Sequence, residues 1–284
     1  MKLVRKGTNE ILKRNTINEL EYLTFPLLES AGFVSHLFTT RLGGVSEGIF
    51  SSMNLSYTRG DKKEAIDENY ARIAKLLKRN TSDFVCSDQT HTTNIRHVTD
   101  EDRGKGVVRD KDYTDIDGLI TNVPGIVLST FYADCVPLYF VDCKNRAIGL
   151  SHSGWRGTVG RMGEHTLHAM KEAFGTRPEH VLAAIGPSIC MDCYEISEDV
   201  ASEFVTLFPG KNVLDEILYK KTDGKYQLDL WKANYYILLE SGILPRHISV
   251  TDICTCCNPD YLFSHRASHG KRGNLAAFLS IDPF

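Results

Sequence analysis

The sequence predicts an α/β (α+β) fold, a single domain in which a mixed sheet is layered with helices. Three observations lead there. Apolar runs of strand length follow one another between residues 94 and 151, separated by turns too short to hold helices. Helical periodicity is confined to the flanks of that stretch, and it is strongest over residues 61–79. The strand-dense middle therefore lacks the strand–helix alternation of a doubly wound sheet, which favours mixed or antiparallel pairing.

Taken in order, residues 1–15 are polar and read as a short N-terminal extension to a domain spanning 1–284. Strands are expected at 22–25 and 33–39, followed by a glycine-rich, exposed turn over 41–48. Ile66, Tyr70, Ile73, Leu76 and Leu77 then recur at helical spacing, predicting an amphipathic helix over 61–79 that covers a sheet. Strands are expected next at 94–98, 118–121, 125–132, 136–142 and 146–151. Helices are expected at 158–174, 198–208 and 228–241, with further strands at 181–185, 248–253 and 274–281. No internal repeat, low-complexity segment or linker interrupts the chain.

Composition narrows the function. With 284 residues and a formal charge of −3, the chain can bury a full core, and it has no Lys/Arg stripe for nucleic acid or for an anionic membrane. No apolar stretch is long enough to span a bilayer, and the first fifteen residues lack the apolar core of a secretory signal. Eight cysteines without such a signal read as thiols in the cytoplasm, serving as core residues, ligands or nucleophiles. Small molecules are the expected partners.

Reactive side chains stand at strand ends. Cys135 comes after the apolar run 125–131, and His152 closes the run 147–150. With His91 of Gln89-Thr90-His91 these are the candidate metal ligands, although their separations match no local finger or helix motif. The same residues permit a cysteine hydrolase, with Cys135 as nucleophile and His152 or His91 as base.

A set of short strings adds to this reading. Phe38-Thr39-Thr40-Arg41-Leu42-Gly43-Gly44-Val45-Ser46, Asn54-Leu55-Ser56, Gln89-Thr90-His91, Asp117-Gly118-Leu119-Ile120-Thr121, Ala133-Asp134-Cys135-Val136-Pro137, His152-Ser153-Gly154-Trp155-Arg156-Gly157, Ile185-Gly186-Pro187 and Leu228-Asp229-Leu230 occur in one order along the chain. Together they resemble the YlmD/YfiH family, also called laccase-domain or polyphenol oxidase family proteins, over nearly the whole chain. The resemblance implies one metal ion, usually zinc, held by His91, Cys135 and His152. It also implies phosphorolysis of purine nucleosides (adenosine, inosine, guanosine, methylthioadenosine) to base and sugar-1-phosphate, together with adenosine deamination.

The chemistry of the residues agrees. A thiolate and two imidazoles suit Zn²⁺, and three protein ligands leave a fourth position for water or substrate. A His₂Cys set also suits Cu²⁺, which outcompetes zinc for most nitrogen and sulfur ligands. None of the ten histidines stands two residues from another, however, so the His-x-His pairs expected of a multicopper phenol oxidase are absent. The His-x-Glu and Pro-Cys-x-x-Cys signature of zinc deaminases is missing too. A non-catalytic metal-binding protein is the remaining alternative.

For phosphate, Arg41 beside Gly43-Gly44 is one candidate, since a guanidinium and loop amides grip oxyanions. Arg156, before a predicted helix, and Arg266, in a Ser-His-Arg string that corresponds to one of the family, are two more. Each can equally be a structural residue. Asn54 can hold a ribose hydroxyl or cap its own turn, and Asp134 can act as acid/base or orient a ligand imidazole. Trp155, Tyr261 and Phe263 can stack on a purine or pack in the core. Cys190 and Cys193 form a Cys-x-x-Cys, and Cys254, Cys256 and Cys257 a cluster, but their separation exceeds zinc-ribbon spacing, so plain thiols are the expectation, with a second structural zinc or a redox pair as the alternatives.

Overall fold

Strands of the expected kind divide into two six-stranded sheets that face each other. The structure, a computed structural model, describes residues 3–283. In chain order its elements are β1 (Lys13–Ile17), β2 (Leu20–Thr24), α1 (Pro26–Glu29), β3 (Val34–Thr39), α2 (Lys63–Leu77), β4 (Phe84–Cys86), β5 (Ile95–His97) and β6 (Gly118–Thr121). They continue with β7 (Val127–Tyr132), β8 (Val136–Asp142), β9 (Ala147–Ser153), α3 (Trp155–Val159), α4 (Met162–Phe174), β10 (Val181–Ile185), β11 (Glu195–Ile196) and α5 (Glu198–Leu207). The last are α6 (Lys211–Ile217), β12 (Leu218–Lys220), β13 (Tyr226–Leu228), α7 (Leu230–Glu240), β14 (Ile248–Val250) and β15 (Leu275–Ile281).

The first sheet runs β1-β2-β3-β15-β7-β4 and the second β14-β10-β8-β9-β6-β5. Both are mixed: most neighbours are antiparallel, while β4 with β7, β5 with β6 and β10 with β14 are parallel. Two-residue alternation decides the layering. In β15, Leu275, Ala277, Leu279 and Ile281 enter a core shared with Tyr139, Val141, Ile148 and Leu150 of the second sheet. Ala276 and Phe278 point the other way, onto α2 through Ile66, Tyr70 and Ile73. On the far face of the second sheet, Leu138 and Phe140 meet Met162 and Met170 of α4 and Leu238 of α7. The order of layers is helix, sheet, sheet, helix. Because both faces of β8 are covered, all seven of its residues are buried, which is why it reads as a continuous apolar run.

Where expectation and structure differ, exposure and chain breaks explain it. The helix expected over 158–174 is two helices. Gly160 closes α3, and Arg161, with φ of 57° in the left-handed region, precedes α4. The strand β1 has no apolar signature because it is an exposed edge. The short sheet β11-β13-β12 and α6 carry too few residues to show a period. The polar start of the chain is stitched to a distant loop: Val4 N donates to Asn258 Oδ1 at 2.7 Å, and Lys6 N to the Asp252 carbonyl at 2.7 Å.

The chain crosses between the sheets at two places that bring reactive side chains together. Between β4 and β5, and again between β7 and β8, it leaves the first sheet and enters the second.

Candidate metal centre and cleft

The first crossing carries His91. Its loop is pinned by Gln89, whose side-chain amide imitates a strand partner: Nε2 donates to the Phe131 carbonyl at 2.7 Å, and Oε1 accepts from Phe131 N at 2.7 Å. The backbone amides of Thr90, His91 and Thr92 then all donate to the Asp117 carboxylate, at 3.0, 3.1 and 2.9 Å. His91 itself has φ of 68°, a left-handed conformation that a non-glycine residue keeps only when its surroundings enforce it.

Asp117 is fully buried and also fixes the second imidazole. His152 Nδ1 donates to Asp117 Oδ1 at 2.7 Å, and His152 N donates to the Asp117 carbonyl at 2.8 Å. With Nδ1 occupied, Nε2 is the ring atom left for a ligand or for Cys135.

Cys135 occupies the second crossing. Its Sγ lies 3.9 Å from His91 Nε2, the His91 and His152 ring centroids are 5.0 Å apart, and the three donor atoms all lie within 4.8 Å of one another. A tetrahedral zinc with ordinary Zn–S and Zn–N bonds separates a sulfur and a nitrogen ligand by about 3.6 Å, so small movements suffice to close on an ion. Gly154 leaves room for this: a Cβ there would stand 3.0 Å from His91 Cδ2 and 3.1 Å from Cys135 Sγ.

Charge favours the thiolate. Burial pushes the Cys135 thiol up, but the His152 charge and hydrogen bonds from both imidazoles outweigh it and bring the pKa down to about 6. Burial lowers His152, yet the Cys135 thiolate and Asp117 raise it to about 9. Burial raises Asp117, and its bond to His152 with the loop amides brings it below the ordinary value.

The three donors line one end of a cleft of about 1070 Å³, whose walls include Arg59, Lys111, Phe131 and Arg272. Arg272 is the unusual member. Its pKa is lowered to about 10, first by burial and then by the charge of Arg59, while Asp134 and Cys135 act in the opposite sense. Its Nε is buried with no hydrogen-bond partner. Arg272 Nη1 donates to Asn274 Oδ1 and Arg59 Nη2 to the Gly270 carbonyl, which leaves two guanidiniums in one wall with donors to spare, an arrangement that can hold an anion.

The sequence-predicted site residues separate into two groups. His91, Cys135 and His152 converge. The other candidates are held by contacts of their own. Arg41 spends its guanidinium on the Ser51 carbonyl at 2.9 Å and the Pro259 carbonyl at 2.7 Å, and lies over the Phe263 ring. Arg266 donates to the carbonyls of Cys193 and Glu195 at 3.2 and 3.0 Å. Arg156 is exposed and lies over the Trp155 indole. Asn54 is fully buried and holds its own turn, accepting from Ser56 N and Asn274 N and donating to Asp61. Asp134 accepts from Thr255 Oγ1 at 2.6 Å and from Arg266 N at 2.7 Å, so the orienting of His152 falls to Asp117 instead. Tyr261 and Phe263 are buried core residues, and Trp155 packs beside the second sheet's helices.

Asp117, Arg59 and Arg272 are members of the site that the sequence reading misses. Asp117 has a signal, an acidic residue opening an apolar strand with glycine next to it; the arginines have none beyond a glycine neighbour in a turn. A second donor group also appears, against the expectation of plain thiols: the sulfurs of Cys190, Cys193, Cys254 and Cys257 lie within 4.8 Å of one another. Among the described residues these are the two His/Cys/Asp/Glu groups whose ligand atoms lie close enough to hold a metal, and the second contains no histidine.

Known proteins share both the sequence and the fold. The family model described as multi-copper polyphenol oxidoreductase laccase matches residues 35–282. The chain is 35% identical over 248 residues to purine nucleoside phosphorylase YlmD of Bacillus subtilis, covering 86% of this chain and 87% of that protein. It is 35% identical over 263 residues to a purine nucleoside phosphorylase of Bacteroides thetaiotaomicron, covering 91% and 96%. The crystal structure of YlmD from Geobacillus stearothermophilus superposes with a TM-score of 0.89 at 32% identity, covering 97% of this chain and 100% of that one.

Proposed function

The chain belongs to the YlmD/YfiH family of laccase-domain proteins, and from that premise we propose that it is a zinc-dependent purine nucleoside phosphorylase. The observation that carries the reading is the pairing, in one cleft, of the His91/Cys135/His152 donor set with the unpartnered Nε of Arg272. The relatives named as purine nucleoside phosphorylases support the substrate class.

In phosphorolysis a phosphate oxygen bonds to C1′ of the sugar as the C1′–N9 bond breaks. The electron pair leaves with the base, which takes up a proton, and the sugar carries positive charge in between. Arg272 and Arg59 bind and orient the phosphate, and the half-buried ring of Phe131 offers an apolar wall to the purine. Asp117 holds His152 in the tautomer whose Nε2 faces the cleft. His91, Cys135 and His152 would hold Zn²⁺, which supplies a Lewis-acid position with one open coordination place. Copper can compete for the same nitrogen and sulfur donors. Adenosine deamination, in which water adds to the purine ring and ammonia leaves, would use the same cleft and is included as a second reaction.

A different reading has one observation in its favour. The Cys135 and His152 shifts describe a thiolate–imidazolium pair, the resting state of a cysteine nucleophile. Metal content separates the two, since activity that survives complete demetallation supports the nucleophile. The eight cysteines fit a reducing cytoplasm, and no helix among the described residues is long and apolar enough to cross a membrane.

The test is direct. Metal-quantified protein is incubated with adenosine and with inosine, with and without phosphate, and free base is monitored by chromatography. Phosphate-dependent release of base with sugar-1-phosphate is expected; its absence for every purine nucleoside removes the proposal.

A further inference from the structure

The two Cys-x-x-Cys turns lie far apart in sequence and adjacent in space. Cys190 and Cys193 come after β10, and Cys254 and Cys257 after β14. These strands are parallel neighbours with Ile185 opposite Val250, so both turns leave the same end of the sheet, and Ser188 bridges to Cys254 just beyond it. The intervening chain is a crossover through α5, α6 and α7. Ribbon spacing assumes two turns on successive hairpins, and a parallel crossover removes that constraint.

Distances distinguish an ion site from other uses of four cysteines. The Cys193–Cys257 and Cys190–Cys257 sulfurs are 3.5 and 3.9 Å apart. Four sulfurs bound to one zinc stand about 3.8 Å from each other, at the corners of a tetrahedron of Zn–S bonds. A disulfide would bring two of them to about 2.05 Å. Backbone amides are already aimed at one sulfur: Cys190 N and Cys257 N donate to Cys254 Sγ at 3.2 and 3.4 Å, the arrangement that stabilises a thiolate. Cys190 and Cys254 are buried and the other two half-buried, which suits a closed structural site.

We propose that Cys190, Cys193, Cys254 and Cys257 bind one Zn²⁺ in tetrathiolate coordination, separate from the cleft. Binding replaces four S–H protons by four Zn–S bonds and releases those protons to solvent. The ion acts as a staple on the turn that carries Cys135. Ile189, beside the first Cys-x-x-Cys, donates its amide to the Asp134 carbonyl at 3.0 Å, and Thr255, in the second, donates its hydroxyl to the Asp134 carboxylate at 2.6 Å. Arg266 closes the ring, with its amide on Asp134 and its guanidinium on the Cys193 carbonyl.

The test counts metal and does not depend on turnover. Protein purified under reducing conditions is assayed for zinc: two equivalents are expected in the unaltered chain and one in Cys135→Ala. The Cys135→Ala protein reconstituted with Co²⁺ should then show the intense visible bands and sulfur-to-metal charge transfer of a tetrathiolate ion, and Cys193→Ser with Cys257→Ser in that background should abolish them. Should the triple variant fail to fold, the cobalt spectrum of Cys135→Ala decides alone. Absence of metal from Cys135→Ala, a cobalt spectrum without tetrathiolate character, or stoichiometric iron in place of zinc overturns the proposal.

Discussion

Asp117 and His152 are joined twice: the carboxylate accepts from the imidazole Nδ1 at 2.7 Å, and the backbone carbonyl accepts from the His152 amide at 2.8 Å. The same carboxylate gathers three successive amides from the His91 loop. One buried side chain therefore sets both imidazoles. Asp117→Asn should lower metal affinity or activity by about 10–100-fold, the usual effect of removing a partner behind a ligand histidine. Metal titration of the folded variant checks this, and unchanged affinity would contradict the role.

Gly154 has an ordinary φ, so alanine fits its backbone but not its surroundings. The added methyl would press on His91 and on Cys135 Sγ at 3.0 and 3.1 Å. Gly154→Ala should keep its thermal midpoint in the metal-free state while losing about 10–100-fold in activity through displaced ligands. Comparing melting curves with turnover distinguishes this local effect from general destabilisation.

Arg272 and Arg41 should part company. Arg272→Ala is expected to raise KM for phosphate by about 10–100-fold with little change in KM for nucleoside, the loss of a hydrogen bond to a charged group. Arg272→Lys should rescue poorly, because an ammonium does not reproduce the guanidinium fork. Arg41→Ala should leave KM for phosphate alone and cost about 0.5–1.5 kcal/mol of stability, the net worth of its exposed hydrogen bonds to the Ser51 and Pro259 carbonyls. Steady-state kinetics with phosphate varied, beside urea unfolding, reads both.

His36 gives a pH prediction away from the cleft. It is buried against Phe25 and Tyr139, its Nε2 accepts from Phe25 N at 2.8 Å, and burial lowers its pKa from 6.5 to about 3. In the unfolded chain it titrates near its ordinary value, so between these two values the unfolded state takes up a proton that the native state refuses. Its stability contribution is complete above about pH 6.5 and is lost as pH falls, by about 2 kcal/mol at pH 5. His36→Gln should flatten the dependence of the urea midpoint over that range; parallel profiles for the two proteins would count against it.

Legibility tracks burial. The bounds of β6, β8 and β10 coincide with the apolar runs that predict them, because each is buried on nearly every residue and ends at a turn. The exposed β1 leaves no trace in the pattern. His91, Cys135 and His152 are legible because their residue types are few and their strings resemble a family. Arginine roles are not, because they depend on which carbonyls fold back onto each side chain: Arg41 and Arg266 both meet backbone oxygens contributed by distant segments. Linear spacing likewise hides the four cysteines, since it carries no information on which strands are parallel neighbours.

His91 and Cys135 each sit where the chain passes from one sheet to the other, and His152 belongs to the second sheet alone. An ion held by all three would be a rivet through two plates. Whatever they grip resists any slip of one sheet over the other, and its affinity becomes a gauge of how well the shared core holds register. A cavity opened at Leu279 or Ile148, on the facing inner surfaces, would then be felt as weakened binding in a cleft it does not line.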